Sequence, residues 1–492
     1  MTTTTATIGD RTVTAEGGSA TLYFPVWDLE YNKDYTLTIA AGAAQDTYGN
    51  SNTEAINIPI KVGSKAVVEK AVYDYVVSDV DEFKAAFAAV NNSNTSADAA
   101  RKTIFIKNGD YDFGSEEQRL TAYNVSLIGE SRDDVMLHGN RDGISNPVLN
   151  LRDRTGFYLQ DLTVRNDNNF GKEEKGGVAV AIYDGDKTAM KNVRMLSNQD
   201  TQVTGNRAYF ENCEIHGTVD FICGGGDNFY SHTDLVLEDR GGNCITAPST
   251  SSTLKWGYVF QNCTIRAAEE ASSVTNGSYN LGRPWQDTPR ANFLNTIMHV
   301  LPSDGAWAGM SEGLTTHFYE YNSMNPDSTK VDLSKRTNSP SSANKYTPVL
   351  TDEEAKAYTL ENVLGGTDSW LPTEETVTVA APVVTVKDKT LSWEDSDDAR
   401  CYVIFCDGEY VTNQTETTFT ITTDGKYTVR AANVNGGLGE VSNVVDTSVS
   451  GITTVEADKN EEYIIYNLNG QRVNTMQKGQ VYIVNGKKVI FQ

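Results

Sequence analysis

Positive charge is scarce in this sequence. Forty-one Lys and Arg stand against 66 Asp and Glu, a formal net charge of −25. A basic footprint for nucleic acid is therefore missing, and simple attraction of a polyanion is disfavoured. No stretch of 18 apolar residues occurs, so no membrane-spanning helix is expected. The 6 cysteines show no zinc spacing and no disulfide framework. Cys213 and Cys263 hold equivalent places 50 residues apart and read as buried thiols. Cys401 and Cys406 lie on one expected strand and should face opposite sides. Spacing leaves a Cys223–Cys244 approach open. The 5 histidines are scattered, and no metal or cofactor is expected. No signal peptide is visible, and MTTTTATIGD reads as the start of a trimmed mature chain.

What the sequence does contain is a repeat. Six segments share an apolar pair, an Asn-like residue two positions on, and a further apolar residue: FYLQDLTV (157–164), AMKNVRM (189–195), YFENCEI (209–215), FYSHTDL (229–235), VFQNCTI (259–265) and FLNTIMHV (293–300). The Asn-like positions are Asp161, Asn192, Asn212, His232, Asn262 and Asn295, spaced by 31, 20, 20, 30 and 33 residues. A recurring unit of this length with short β-rich segments predicts a solenoid, because each turn buries its apolar residues only by stacking on its neighbours. The fold class expected is all-β, a right-handed parallel β-helix, with Asn at a bend. Longer coils place their extra residues in loops on one face.

Residues 198–227, NQDTQVTGNRAYFENCEIHGTVDFICGGGD, hold two aspartates one repeat apart, Asp200 and Asp220. Parallel strands lie about 4.8 Å apart, so the two carboxylates should stack on adjacent rungs. Close carboxylates drive each other's pKa values apart, which suits one as acid and the other as nucleophile or base. A calcium site or a solvated acidic surface would give the same spacing.

The motifs NQDT, GTVDFICGG and LGRPW (281–285), in that order, resemble the signature of pectin methylesterases. IKNGDYDF (106–113), VSLIGE (125–130), WAGM, FYEYN (318–322) and LGGTDSWLP (364–372) extend the resemblance over residues 70–372. It implies a right-handed parallel β-helix, in agreement with the repeat. It also implies a carboxylic ester hydrolase that converts methyl-esterified galacturonan to pectate and methanol. Asp220 matches the nucleophile, Asp200 the general acid and base, and Gln199 an oxyanion donor. Arg283 matches the guanidinium that aims the nucleophile. Trp285, Phe221 and Thr201 match the sugar-binding surface. No cofactor is implied.

The match has departures. The family's QAVAL-like stretch is Val178–Ile182 here, and Val178 offers no donor, a loss worth on the order of 100-fold in rate. Val203 stands where an aromatic often follows QDT, and Cys223 replaces an aromatic in VDFIFG. Two other classes stay open. One is a β-helical glycosidase or lyase, since paired carboxylates also cleave sugar bonds. The other is a pectin-binding module whose site has decayed at Val178. The partner expected is pectin, with no nucleic acid and no membrane span, and the chain is expected to be a monomer. A secreted, cell-surface or periplasmic location is expected.

Around the catalytic stretch (65–372) the chain changes character. Residues 1–64 resemble part of a bacterial Ig-like domain. VDEFKAAFAAV has helical spacing and should cap the open end of the solenoid. Thr351 is a candidate N-cap before TDEEAKAY. Residues 380–448 resemble a fibronectin type III sandwich with Trp393, Tyr402 and Tyr427 as core. Residues 449–492 resemble the β-rich sorting tails of secreted proteins, with two Asn-Gly turns for hairpins.

Overall fold

The computed structural model describes residues 4–15, 24, 26, 29–46, 48–63, 67–168, 170–171, 176–448, 464–484 and 487–491. Two parallel sheets, of sixteen and seven strands, coil together along the chain. The fold is a right-handed parallel β-helix, as the repeat predicts.

The ladder position explains how each coil bends. Asp161, Asn192, Asn212, His232, Asn262 and Asn295 all have positive φ, between 50° and 55°. Asn and Asp tolerate this left-handed conformation better than other residues with a Cβ. Strands Ala208–Glu211 and Glu214–Gly217 therefore flank Asn212 in the sixteen-stranded sheet. Asn228–Ser231 and Asp234–Leu237 flank His232 in the same way. Side chains also bond along the ladder: Asn192 Nδ2 donates to Asp161 Oδ1 at 2.5 Å, and Asn322 Nδ2 to Asn295 Oδ1 at 2.8 Å.

Inside the coils, like residues stack on like. Phe210, Tyr230, Phe260 and Phe293 form a column with ring centroids 4.5, 4.4 and 4.4 Å apart. Cys213 and Cys263 sit in this interior as free thiols, directed at the carbonyls of Met190 and Tyr230. Helix Val80–Ser93 has Asp79 as N-cap and sends Phe83, Ala86, Phe87 and Val90 into the same core, which is the role expected of VDEFKAAFAAV. Helix Asp352–Ala355 is closed by a capping box between Thr351 and Glu354.

Within the described part of residues 1–63, four antiparallel strands form one sheet around Ala6, Ile8, Leu37 and Ile39. Val379–Ala432 and the residues from Gly439 onward form a second compact unit. It holds a three-stranded and a five-stranded antiparallel sheet over a core that includes Trp393, Tyr402 and Tyr427. A further four-stranded antiparallel sheet lies between residues 465 and 490. Of the two Asn-Gly pairs, Asn469-Gly470 lies in a turn, and Asn485-Gly486 falls outside the described residues. Among the described residues no helix is long and apolar enough to cross a membrane.

Candidate active site

The seven-stranded sheet carries the site. Its central strands are Gln202–Thr204 and Val219–Gly224, flanked by Asn243–Pro248 and Tyr279–Gly282. Gln202 pairs with Ile222 and Val203 with Cys223, an offset of 20 residues. The same offset sets Asp200 beside Asp220. The backbone N–H of Asp200 donates to the carbonyl of Val219 at 3.2 Å. Both aspartates have positive φ, 61° and 52°.

Arg283 follows the strand Tyr279–Gly282 and reaches across its neighbour to Asp220. Its Nε and Nη2 donate to the two carboxylate oxygens at 2.8 and 2.5 Å. This planar fork matches a carboxylate in a way a lysine cannot. The backbone is drawn close here: a Cβ on Gly282 would lie 2.2 Å from Thr246 Oγ1. That contact accounts for the glycine of LGRPW. Gly224 has φ +99° at the end of the strand that carries Asp220, where a Cβ would meet the Thr204 carbonyl at 2.3 Å.

The two carboxylates have different surroundings. Asp220 is 4% exposed and held by Arg283. Asp200 is 9% exposed, and burial together with the neighbouring Asp220 charge pushes its carboxyl up to about 7. Arg283 and a side-chain hydrogen bond with Gln199 act in the opposite direction. The Cys244 thiol donates to the Thr246 carbonyl at 3.7 Å, and burial together with the neighbouring Asp220 charge raises it well above the usual thiol range.

Next to the aspartates lies an apolar cluster separate from the interior core. Val178, Ala181, Val203, Cys223 and Ala247 form it, with Ile144, Tyr183 and Trp285 packed on them. Val203, Cys223 and Ala247 stack in register on successive rungs. The Cys223 thiol feels the charges of both Asp200 and Asp220, which places this apolar floor at the carboxylates. Ile144, Tyr183 and Ala247 were missed in the sequence. Ala181 and Ala247 lie in register with Val203 and Cys223 on neighbouring strands, whereas Ile144 and Tyr183 arrive from turns.

The structure therefore brings together Asp200, Asp220, Gln199 and Arg283, with Trp285 on the adjoining floor. It separates two others. Phe221 is fully buried in the interior core, and Thr201 is equally buried, with its hydroxyl donating to the His216 carbonyl at 2.7 Å. Neither side chain is placed to touch a sugar. The left-handed backbone at Asp200 and Asp220 turns the following residue inward. Cys223 and Cys244 are free thiols, not a bridge.

Comparison with known proteins bears on this arrangement. The pectinesterase family model matches residues 74–367. Pectinesterase A of Dickeya dadantii is 31% identical over 373 residues, covering 66% of this chain and 98% of that protein. The chain belongs to the pectinesterase family. It is a carboxylic ester hydrolase that de-esterifies pectin. Among solved structures, pectin methylesterase from carrot aligns with a TM-score of 0.51 at 21% identity, covering 63% of this chain and 98% of that one. This likeness concerns the fold. A pectin methylesterase solved in complex with a hexasaccharide aligns with a TM-score of 0.49 at 27% identity, over 61% of this chain and all of that chain.

Proposed function

We propose that Asp220 is the nucleophile of the de-esterification and Asp200 its general acid and base. An Asp220 oxygen attacks the carbonyl carbon of a galacturonate methyl ester. The carbonyl π electrons move onto oxygen, and the Gln199 amide donates to that oxyanion. As the oxyanion collapses, the C–OCH3 bond breaks and Asp200 gives its proton to the departing methanol. An anhydride then joins Asp220 to the substrate. Asp200, now ionised, takes a proton from water, and the resulting hydroxide attacks the anhydride. Free galacturonate and Asp220 are regenerated, and Asp200 is again protonated. Arg283 keeps the attacking carboxylate aimed.

One observation carries this reading. Two carboxylates on adjacent rungs are set apart, one gripped by Arg283 and the other raised to about 7. A binding surface for pectin has no need of that difference. The substrate lies over the apolar floor beside Trp285, and the enzyme acts outside the cytoplasm, where a polymer can reach it.

The test is methanol release from highly methylated pectin. Asp220→Asn keeps the shape but not the nucleophile, and is expected to lose turnover with an unchanged circular dichroism spectrum. Substantial residual turnover in that variant would overturn the assignment.

A further inference from the structure

A cluster on the other sheet, outside the catalytic machinery, has the composition of a metal site. Strands Gly109–Asp112, Val135–Gly139 and Thr155–Asn166 are neighbours in the sixteen-stranded sheet. In register, His138 faces Asp112 on one side and Arg165 on the other. Asp167 follows the last of these strands. One ligand atom from each of Asp112, His138 and Asp167 lies within 4.8 Å of the other two. We propose that these three residues bind a divalent transition-metal ion of the zinc class.

Four features support the site. The His138 ring is buried, 6% exposed, so it is not a mobile surface imidazole. Its Nδ1 lies 2.5 Å from an Asp167 oxygen. Its Nε2 is buried without a hydrogen-bond partner: Asp110 Oδ1 is 3.1 Å away but off the line of the bond. A buried ring nitrogen in that state is costly, and a metal bond at one nitrogen with realignment of Asp110 at the other would satisfy both. The charge also fits. Asp110, Asp112 and Asp167 set three carboxylates around the ring, a setting that suits a cation.

Mixed imidazole and carboxylate donors select zinc-class ions over calcium, which takes oxygen ligands. Arg165 is the competitor. Its Nε donates to Asp167 at 2.5 Å, and its Nη2 lies 3.4 Å from His138 Nδ1, so its charge sits where the ion's would. The Arg165 side chain is 31% exposed, so water can solvate its charge if an ion takes its place. An ion here would join three successive strands of the β-helix, so its effect belongs to stability, not to ester hydrolysis.

The experiment is calorimetric titration of the full, chelator-treated chain with ZnCl2, and with CaCl2 in parallel. Thermal unfolding and methanol release are recorded on the same samples. One saturable zinc site with no calcium counterpart is expected, together with a rise in Tm. His138→Ala should abolish that site while leaving methanol release unchanged. Asp112→Asn should weaken it by at least about tenfold, which keeps the test informative if His138→Ala does not fold. Arg165→Ala should tighten it on the order of tenfold by removing the competing charge. Equal zinc binding by wild type and both ligand variants would mean an adventitious ion only, and would overturn the proposal. So would the absence of saturable binding.

Discussion

Asp200 and Asp220 occupy equivalent places on adjacent rungs, and both take the left-handed backbone that the ladder asparagines also use. The arrangement follows from the solenoid itself. In-register parallel stacking sets like residues at one position, and the 20-residue coil does this for two carboxylates. The Asp220 charge then acts on Asp200 at short range, and burial removes the water that would screen it. The next-but-one strand brings Arg283 to Asp220. A repeat fold thereby yields two chemically distinct carboxylates from near-identical backbone.

On the proposed mechanism the raised Asp200 carboxyl should set the pH dependence. A carboxyl pushed up to about 7 is protonated below that pH and competent as an acid. Above it, kcat/KM should fall about tenfold per pH unit, because the proton for departing methanol is lost. The hydrogen bond from Gln199 lowers the Asp200 value, so its removal must raise it. Gln199→Leu should therefore move the alkaline limb to higher pH while lowering the maximal rate. A pH–rate profile of both proteins checks this. An alkaline limb that stays in place would remove Gln199 from contact with the acid.

Arg283 can be separated into aim and charge. Arg283→Lys retains the charge and loses the two-point grip, so Asp220 should be left free to rotate. The expected loss is about 100-fold in kcat, the scale of a misplaced reacting group, with little change in unfolding. Arg283→Ala should lose stability as well, by about 3–5 kcal/mol, because Asp220 is then a buried charge without its partner. Denaturant unfolding of the two variants beside methanol release distinguishes the effects.

How far the site was legible depends on how each residue is encoded. The solenoid was readable because the bend in each coil demands left-handed backbone, and that demand leaves Asn, Asp or His at one position. The Asp200–Asp220 stack followed from the same arithmetic. Phe221 and Thr201 did not follow, because alternation fails beside a left-handed residue. The pairing of Val219–Gly224 with Asn243–Pro248 shifts register between Val219 and Ile222. Counting faces back from Cys223 on the floor therefore puts Phe221 on the wrong side, since Phe221 and Ile222 both enter the core. Tyr183 and Ile144 reach the floor from outside the central strands, and no periodicity announces them.

A buried ion pair far along the chain offers a stability test. Arg336 Nε and Nη2 donate to Glu320 at 2.8 and 3.2 Å, and the Glu320 side chain is fully enclosed. Arg336 also donates to the carbonyls of Ser303 and Asp304. Glu320→Ala leaves the guanidinium buried and unpaired, and should cost about 3–5 kcal/mol. The double variant Glu320→Leu/Arg336→Met should recover most of that loss, since the desolvation cost disappears with the charges. Chemical unfolding of the two proteins decides the matter. A double variant as unstable as the single one would show that the arginine's carbonyl contacts matter more than the pair.

Val178 tests how much the altered cleft costs in rate. It is fully buried in the apolar floor, beside Val203 and Cys223, and presents no donor to the ester. Its backbone is firmly set: the carbonyl accepts from Val148 N–H and from Asn166 Nδ2, each at 3.1 Å. A glutamine there would start from a fixed point and could add a second amide to the one supplied by Gln199. Val178→Gln should thus raise kcat, by up to about 100-fold if its amide reaches the oxyanion. It should also lower stability by about 1–3 kcal/mol, because part of a polar group enters an apolar cluster. Rate and unfolding must be measured together, since the two effects have opposite signs for the organism. A stable variant with no gain in kcat would mean that a glutamine amide at this position does not reach the oxyanion, and that the valine serves the apolar floor.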